Sequence, residues 1–486
     1  MRRSVTDEES LSSFSLYEPL RGLIRRSPVV YPRGTPLRVP VERMYADRIG
    51  SVVVADPREL RPQGIVTFSD LLGRVVLPGA DLSAPIESAM DEHPLCLSAD
   101  ATAHDAMLAM GRCSARYVLV MERDGRLLGV VSRGDVYGAQ KIVPEDVVNP
   151  LISARTSGEL VDAAAHARHF VKRLISQGLG ASQVIQWATS LNDFVGSQAV
   201  VLMKARFELP AVCWSWMAFG SEGRFEQTLS TDQDNGIIFE MAEGEDPEPV
   251  RQALLPFAQA VNQLLDECGF PLCRGQIMAG NAEQCLSDHE WRARFERWIS
   301  VRDPKALLNA SIFFDFRAIH GDGGIVDRLR SWLLERVAAQ PVFLRMLAAN
   351  ALESAPPLGL LRAFVLERKG AVPGTIDLKK SGVRPCVDAA RIFALSQGIA
   401  ATSTVERLRA VAASPAFAGE DLQAAIDGFL FVQHLRLRNQ QQHGGNESLA
   451  NRLDPYKLNR LERHILRHAF RQIKQLQQRL RVDYRL

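Results

Sequence analysis

No stretch of this chain stays apolar for the roughly 20 residues that a helix needs to cross a bilayer. The first residues, MRRSVTDEESLSS, are polar and lack the apolar core of an export signal. A cytoplasmic location with no membrane partner is therefore expected. Charge of one sign is missing too: 58 Lys and Arg against 56 Asp and Glu leave a formal net charge of +2, so bulk charge gives no reason to expect nucleic acid. Cysteine is sparse. The 7 thiols are odd in number and scattered among apolar neighbours, which fits reduced side chains better than a disulfide framework. Cys268, Cys273 and Cys285 lie near one another, but without CxxC spacing, so zinc is not expected. His166 with His169, and His464 with His468, share helix faces; no HExxH accompanies them, and surface positions are expected. What is present is ordinary for a globular protein of about three domains, with 46% hydrophobic and 23% charged residues.

The most informative segment is residues 212–240, VCWSWMAFGSEGRFEQTLSTDQDNGIIFE. An apolar run ends in Gly220-Ser221, and two carboxylates, Asp232 and Asp234, open a second apolar run. Side chains at i and i+2 of a strand share a face, so both acids would present oxygens together while Gln233 turns away. Mg²⁺ suits such a pair, because it is usually held by one or two carboxylates plus the phosphates of a nucleotide. Gly220 would let the backbone approach a phosphate, Ser221 would cap a following short helix, and Arg224 adds a permanent cation.

An apolar strand, Gly-Ser, about ten residues and then Asp-x-Asp resembles the nucleotidyltransferase fold of the DNA polymerase β superfamily. GSEGRFEQTLSTDQD is closer to the protein-PII uridylyltransferases and to a bacterial signalling family in which a nucleotidyltransferase-like core is joined to CBS domains. The resemblance implies transfer of a nucleoside monophosphate from an NTP, with Asp232 and Asp234 as catalytic metal ligands for Mg²⁺ or Mn²⁺. Gly220, Ser221 and Arg224 would hold the triphosphate, and Glu226 would brace the loop. These enzymes normally take a third carboxylate from a later strand. The strand expected near CRGQIMAG has no acid. Asp315, in SIFFDFRAIHGD, either fills the gap or serves the structure by pairing with Arg317 or capping a helix, and the structural role is favoured. The uridylyltransferases also usually carry an HD phosphohydrolase. The only His-Asp dipeptide here is His104-Asp105, so no built-in reversal is expected.

The second signal is an internal repeat. GIVTFSDLL at 64–72 and GVVSRGDVY at 129–137 lie 65 residues apart, and MYADRIGSVVV at 44–54 lies over MGRCSARYVLV at 110–120. Each copy reads as helix, strand, strand, helix. This resembles a tandem CBS pair over about residues 24–145, which implies an adenine nucleotide regulator and a homodimer through the pair. Its Thr/Ser-x-x-Asp element falls on Thr67 with Asp70 and Ser132 with Asp135. These acids could equally be helix caps. Arg133 is either a phosphate partner or a solvated arginine.

Residues 158–207 show helical periodicity broken by Gly178 and Gly180, and Pro144 with Pro150 marks a stiff connector. From about Leu333 onward the pattern is helical throughout. Its last helix carries an apolar stripe of Leu458, Leu461, Ile465, Phe470, Ile473, Leu476 and Leu480 beside a basic face. TIDLKKSGVRPCVDAARIFAL resembles the helical substrate-binding domain that follows such cores, which implies NTP or acceptor contacts at Lys379, Lys380 and Arg384. The expected architecture is α+β multidomain: an extension over 1–23, a CBS pair over 24–145, a helical connector over 151–208, a nucleotidyltransferase-like core over 209–330 and an all-helical domain over 331–486. The expected function is NMP transfer to a protein or small-molecule acceptor under adenine-nucleotide control. Its rival is a sensor of adenine nucleotides that has lost catalysis.

Overall fold

The computed structural model describes residues 19–24, 26–113, 115–138, 145–300, 311–359, 363–367, 372–417, 422–443 and 447–486. The polar start of the chain, Pro144 and parts of the Gly/Pro breaks near 370 and 418 lie outside the described residues. Two compact units result, Met1–Asp146 and Val147–Leu486. No helix among the described residues is long and apolar enough to cross a membrane.

The first unit is the repeat made visible. Its first copy runs β1 (Val30–Tyr31), α1 (Arg38–Asp47), β2 (Ser51–Ala55), β3 (Pro62–Thr67) and α2 (Phe68–Leu71). The second runs β4 (Cys96–Ser98), α3 (Ala103–Arg112), β5 (Tyr117–Met121), β6 (Leu127–Ser132) and α4 (Arg133–Gly138). In each sheet the middle strand pairs parallel with the first and antiparallel with the last. The bulges also correspond, at Val54/Ala55 and Val120/Met121. β2 and β5 are buried along most of their length, which is why they read as VVV and VLV without alternation. Val53, Ala55, Ile65, Leu119 and Leu127 form one cluster across the two copies. β1 and β4 escaped the sequence reading because two or three residues are too short to show a period.

The second unit opens with α5 (Glu145–Ser153), α6 (Ser157–Ser176) and α7 (Ala181–Lys204). Pro150 lies inside α5, so the expected stiff connector is helical at this point. Gly178, at φ +79°, makes the left-handed turn that separates α6 from α7. A four-stranded sheet follows in the order β10, β7, β8, β9, built from β7 (Trp214–Phe219), β8 (Asn235–Phe239), β9 (Cys285–Ser287) and β10 (Phe316–Gly321). β7 pairs antiparallel with both neighbours, and β8 pairs parallel with β9. Every residue of β7 and β8 is buried, since helices cover both faces. Between β7 and β8 sits the one-turn α8 (Gly220–Gly223). Trp214 and Trp216 meet Phe257 of α9 (Glu248–Glu267) at ring separations of 5.5 and 6.4 Å. On the opposite face Phe219 meets Trp291 of α10 (Asp288–Ser300) at 5.6 Å, and the indole Nε1 donates to the carbonyl of Ile237 at 3.0 Å. The expected strand near CRGQIMAG is absent: residues 273–280 are turn and loop, and β9 comes five residues later.

The C-terminal part packs α11 (Gly323–Ala338), α12 (Pro341–Ala351), α13 (Arg384–Ser396), α14 (Thr404–Ala412), α15 (Gln423–His443), the short α16 (Glu447–Ala450) and α17 (Arg460–Asp483). It is not helical throughout. β11 (Ile376–Asp377) and β12 (Arg452–Leu453) pair antiparallel, and residues 379–383 form a π-helical turn between β11 and α13. Gly428 of α15 lets Ala469 of α17 approach closely, since a Cβ there would meet Ala469 Cα at 3.1 Å. Of the expected apolar stripe, Leu458, Phe470, Ile473, Leu476 and Leu480 are buried, whereas Leu461 is 68% exposed and Ile465 is also exposed.

Candidate active site

β7 delivers Gly220 and Ser221 at its C-terminal end. Gly220 has φ +56°, and an added Cβ would press on Ile312 at 2.8 Å with Asp234 Oδ2 only 3.4 Å away. The left-handed turn and the close Ile312 side chain therefore favour glycine here. Ser221 lies within α8 and makes no cap, contrary to expectation: the N-cap position is Phe219, with no side-chain cap bond.

Asp232 and Asp234 precede β8 in extended loop instead of standing within it. The i, i+2 argument still holds locally, because Gln233 is turned inward. Its Nε2 donates to the carbonyls of Asn262 and Phe270 at 2.9 and 2.8 Å, and its Oε1 accepts from Asn262 Nδ2 at 2.7 Å. The loop is pinned to β7 by Phe219 N donating to Asp234 O at 2.8 Å. Burial, joined by the charge of Asp232, pushes the Asp234 carboxyl up to about 6. Two acids crowded in this way are what a divalent cation relieves. Glu222 beside them is pushed up to about 8 by burial and by Asp193, with Asp234 contributing.

Among the described residues no third carboxylate joins the pair as a metal ligand. Among the described residues no group of three or more His, Cys, Asp and Glu side chains could hold a metal. Asp315 is fully buried and committed elsewhere: Arg224, Arg391 and Arg407 reach its oxygens at 2.7, 2.6 and 2.7 Å. Burial alone would raise its carboxyl, but the three guanidinium charges overcome that and hold it well below the usual range. Its partner is not Arg317, whose Nη2 reaches Asp193 at 2.6 Å. Gly223 lets the Asp315 backbone approach, since a Cβ would meet its carbonyl oxygen at 2.1 Å.

The same cluster changes the part played by Arg224. Its Nε reaches Glu226 at 2.9 Å and its Nη1 reaches Asp315, so this cation is already neutralised inside the protein. Glu226 in turn accepts from Thr404 N at 2.6 Å, tying the loop after α8 to α14. Phe225 between them has φ +58°, a left-handed conformation that a bulky side chain rarely adopts, and Arg317 covers its ring at 3.9 Å.

A cleft of about 340 Å³ unites the candidates. From the core it takes Gly220, Ser221, Arg224 and Asp234; from the helical part it takes Lys379, Lys380 and Arg384. Asp232 is exposed beside Asp234. Sequence reading missed Arg391, Gln433, Arg436 and Asn451, which also line the cleft. Gln433 and Arg436 lie on α15, a helix with no distinct apolar face, so nothing local marked these polar side chains as buried.

In the first unit, a cleft of about 260 Å³ is lined by Ser132 and Asp135 together with Arg26, Arg48 and Tyr117. Thr67, Asp70 and Arg133 do not line it. Thr67 and Asp70 form a reciprocal cap on α2, with Oγ1 donating to the carboxylate at 2.6 Å. Ser132 with Asp135 repeats that bond at 2.5 Å and Thr102 with Asp105 at 2.7 Å, so the element caps a helix at each of these three places. Arg133 is half-buried, donates from Nη2 to the carbonyl of Ala115 at 2.9 Å and does not line the cleft.

No curated protein matches the chain. Among solved structures, a CBS domain protein from Pyrobaculum aerophilum complexed with AMP is 28% identical, over 24% of this chain and 89% of that one, with a TM-score of 0.23. A CBS-domain-containing protein from Agrobacterium tumefaciens is likewise 28% identical, over 25% of this chain and 98% of that one, with a TM-score of 0.23. Family models match in three places. The CBS domain matches residues 20–77 and 86–141. The family described as "Putative nucleotidyltransferase DUF294" matches residues 165–305, and the "Putative nucleotidyltransferase substrate binding domain" matches residues 341–484. The chain is thus a CBS pair followed by the nucleotidyltransferase domain of that family and by the substrate-binding domain that goes with it.

Proposed function

We propose that this chain transfers a nucleoside monophosphate from an NTP to a protein or small-molecule acceptor, as the protein-PII uridylyltransferases do, under control of an adenine nucleotide at the CBS pair. The observation that carries this reading is the single cleft that brings the Gly220-Ser221 turn and Asp234 together with Lys379, Lys380 and Arg384. An acceptor oxygen forms the new bond to the α-phosphorus, the bond from that phosphorus to the β-phosphate oxygen breaks, and pyrophosphate leaves. Mg²⁺ or Mn²⁺ held by Asp232 and Asp234 would supply charge neutralisation at the phosphates. Gly220 opens space for a phosphate against the backbone, and Ser221 offers a hydroxyl. Lys379 is a cation of the cleft with no ion pair among the described residues. Desolvation in the cleft and the charge of Arg436 lower its pKa, while Asp232 and Asp234 pull it back, so it stands among these groups.

The test is incubation with each α-labelled NTP, Mg²⁺ or Mn²⁺ and a host lysate, with label sought on a protein or small molecule. Absence of label in every combination would favour the second reading, a nucleotide sensor without catalysis. That reading has one specific support: among the described residues no third side chain completes a metal-holding group with Asp232 and Asp234. In the catalytic reading, Lys379→Ala with Ser221→Ala is expected to weaken NTP binding about tenfold or more, the worth of one charge-assisted hydrogen bond. Calorimetry of the full chain checks this. AMP binding at the first unit should stay within twofold, and a parallel loss of both would show that the two sites are not independent.

Regulation has its own expected result. AMP or ATP at the cleft of Ser132 and Asp135 should change NTP affinity at the core by roughly 5- to 150-fold, the usual range of coupling between sites. Linkage demands that NTP change AMP affinity by the same factor. Asp135→Ala should remove the effect. An unchanged NTP affinity at saturating AMP would exclude coupling at equilibrium.

A further inference from the structure

Arg436 and Gln433 stand one turn apart on α15 and line the cleft. Arg436 is 5% exposed, and among the described residues no carboxylate pairs with it. Its Nε donates to Asn451 Oδ1 at 2.7 Å and its Nη1 to Gln433 Oε1 at 3.3 Å. Gln433 is fully buried, and its Nε2 has no hydrogen-bond partner among the described residues. Burial pushes Arg436 down to about 10, which still leaves it charged at neutral pH.

The direction of these bonds selects the ligand. The side-chain oxygen of Gln433 is taken by Arg436, and that of Asn451 by Arg436 and by Gln440 Nε2 at 3.2 Å. Acceptors are thus turned inward, and what the wall offers is the Gln433 amide N–H groups and an uncompensated guanidinium, with the Lys379 ammonium nearby. A base edge presents donors as well as acceptors and would meet only half of its needs here. An oxyanion, rich in acceptors and negatively charged, meets all of them. Of the acids that line the cleft, Asp388 is tied to Arg391 at 2.7 Å, Glu226 to Arg224 at 2.9 Å and Asp377 to Lys380 N at 2.9 Å, which leaves Asp234, the proposed metal ligand. A buried cation without a counter-charge is unfavourable unless a ligand supplies one.

We propose that Arg436 and Gln433, assisted by Lys379, form a phosphate oxyanion subsite on the helical wall of the cleft. Resting on the proposed transfer reaction, its ligand is the terminal phosphates of the NTP, which leave as pyrophosphate; a phosphate carried by the acceptor has the same chemistry. The subsite places specificity for a triphosphate over a monophosphate in α15.

Calorimetric titration of the full chain with inorganic pyrophosphate, NTP and NMP tests this, and its readout does not depend on whether transfer occurs. Arg436→Gln is expected to weaken pyrophosphate and NTP about ten- to a hundredfold while leaving NMP within twofold, the loss of one charge-assisted contact to a phosphate. Gln433→Met, which keeps Arg436, should weaken both about three- to tenfold, and Arg436→Lys should restore part of the loss. Loss of pyrophosphate binding with NTP affinity unchanged would support the oxyanion subsite and assign it to the acceptor. Wild-type affinity for pyrophosphate in both Arg436→Gln and Gln433→Met, with melting temperatures unchanged, would overturn it, as would failure of the wild-type protein to bind pyrophosphate at millimolar concentration.

Discussion

Replacing Asp315 with alanine is expected to destabilise the second unit by about 3–5 kcal/mol, the usual cost of removing one partner from a buried ion cluster. The reason is arithmetic of charge. Arg224, Arg391 and Arg407 converge on this one fully buried carboxylate, and without it Arg407 keeps only the carbonyl of Ala401, accepting from its Nε at 2.8 Å. These three arginines come from the loop after α8, from α13 and from α14, so the cluster also joins the sheet to the helical part. A fall of about 5–10 °C in the melting temperature of the full chain is expected from the size scaling of unfolding entropy. A shift under about 2 °C on that scale would mean that the cluster does not stabilise the fold. The pH dependence has a definite sign. The Asp315 carboxyl is held below its unfolded value, so its contribution is complete above about pH 4 and is lost as pH falls through the folded value. Acid should therefore destabilise wild type more than Asp315→Ala, narrowing the gap between them.

The second large effect is catalytic. Asp232→Asn with Asp234→Asn is expected to abolish label transfer while leaving the melting temperature close to wild type. Losing one preorganised charge-stabilising group typically costs about 10²- to 10³-fold in rate, and this variant loses two. The fold should tolerate the change, since neither acid has an ion pair among the described residues and Gln233, which anchors the loop, is untouched. Removing a carboxylate charge that burial, and then Asp232, make unfavourable should even favour the native state slightly. Equal transfer by variant and wild type would exclude this pair as the active site.

The contrast between Asp315 and Asp234 shows where sequence reasoning stops. Both are carboxylates at the edge of an apolar run, and nothing in their neighbours tells a ligand from a counter-ion. The difference lies in Arg391 and Arg407, 76 and 92 residues away, which reach Asp315 and leave Asp234 alone. Arg224 makes the same point: a cation reads as available until its partners are known, and this one lines the cleft while paired with Glu226 and Asp315. Lys379, Lys380 and Arg384 could be placed beside a nucleotide only through resemblance, and the cleft brings them there because β11 and β12 pair and a π-helical turn follows.

By itself the sequence determined what depends on short spacing. The repeat at 65 residues specified two copies of one strand pattern, the Gly-Ser turn followed by Asp-x-Asp specified a strand-turn-strand with paired acids, and helical periodicity specified the C-terminal part. Local geometry suffices there, because strand alternation, glycine's φ and helical period act over a few bonds. Tertiary structure alone decided which charges are spent on the fold and which face the cleft. Burial and pairing set the energy of a charge far more than its chemical identity does, and both are fixed by residues distant in the chain. Gln433 and Arg436 are the clearest case: unremarkable in sequence on α15, they become an unpaired donor wall only when the helix packs beside the sheet's Gly-Ser turn.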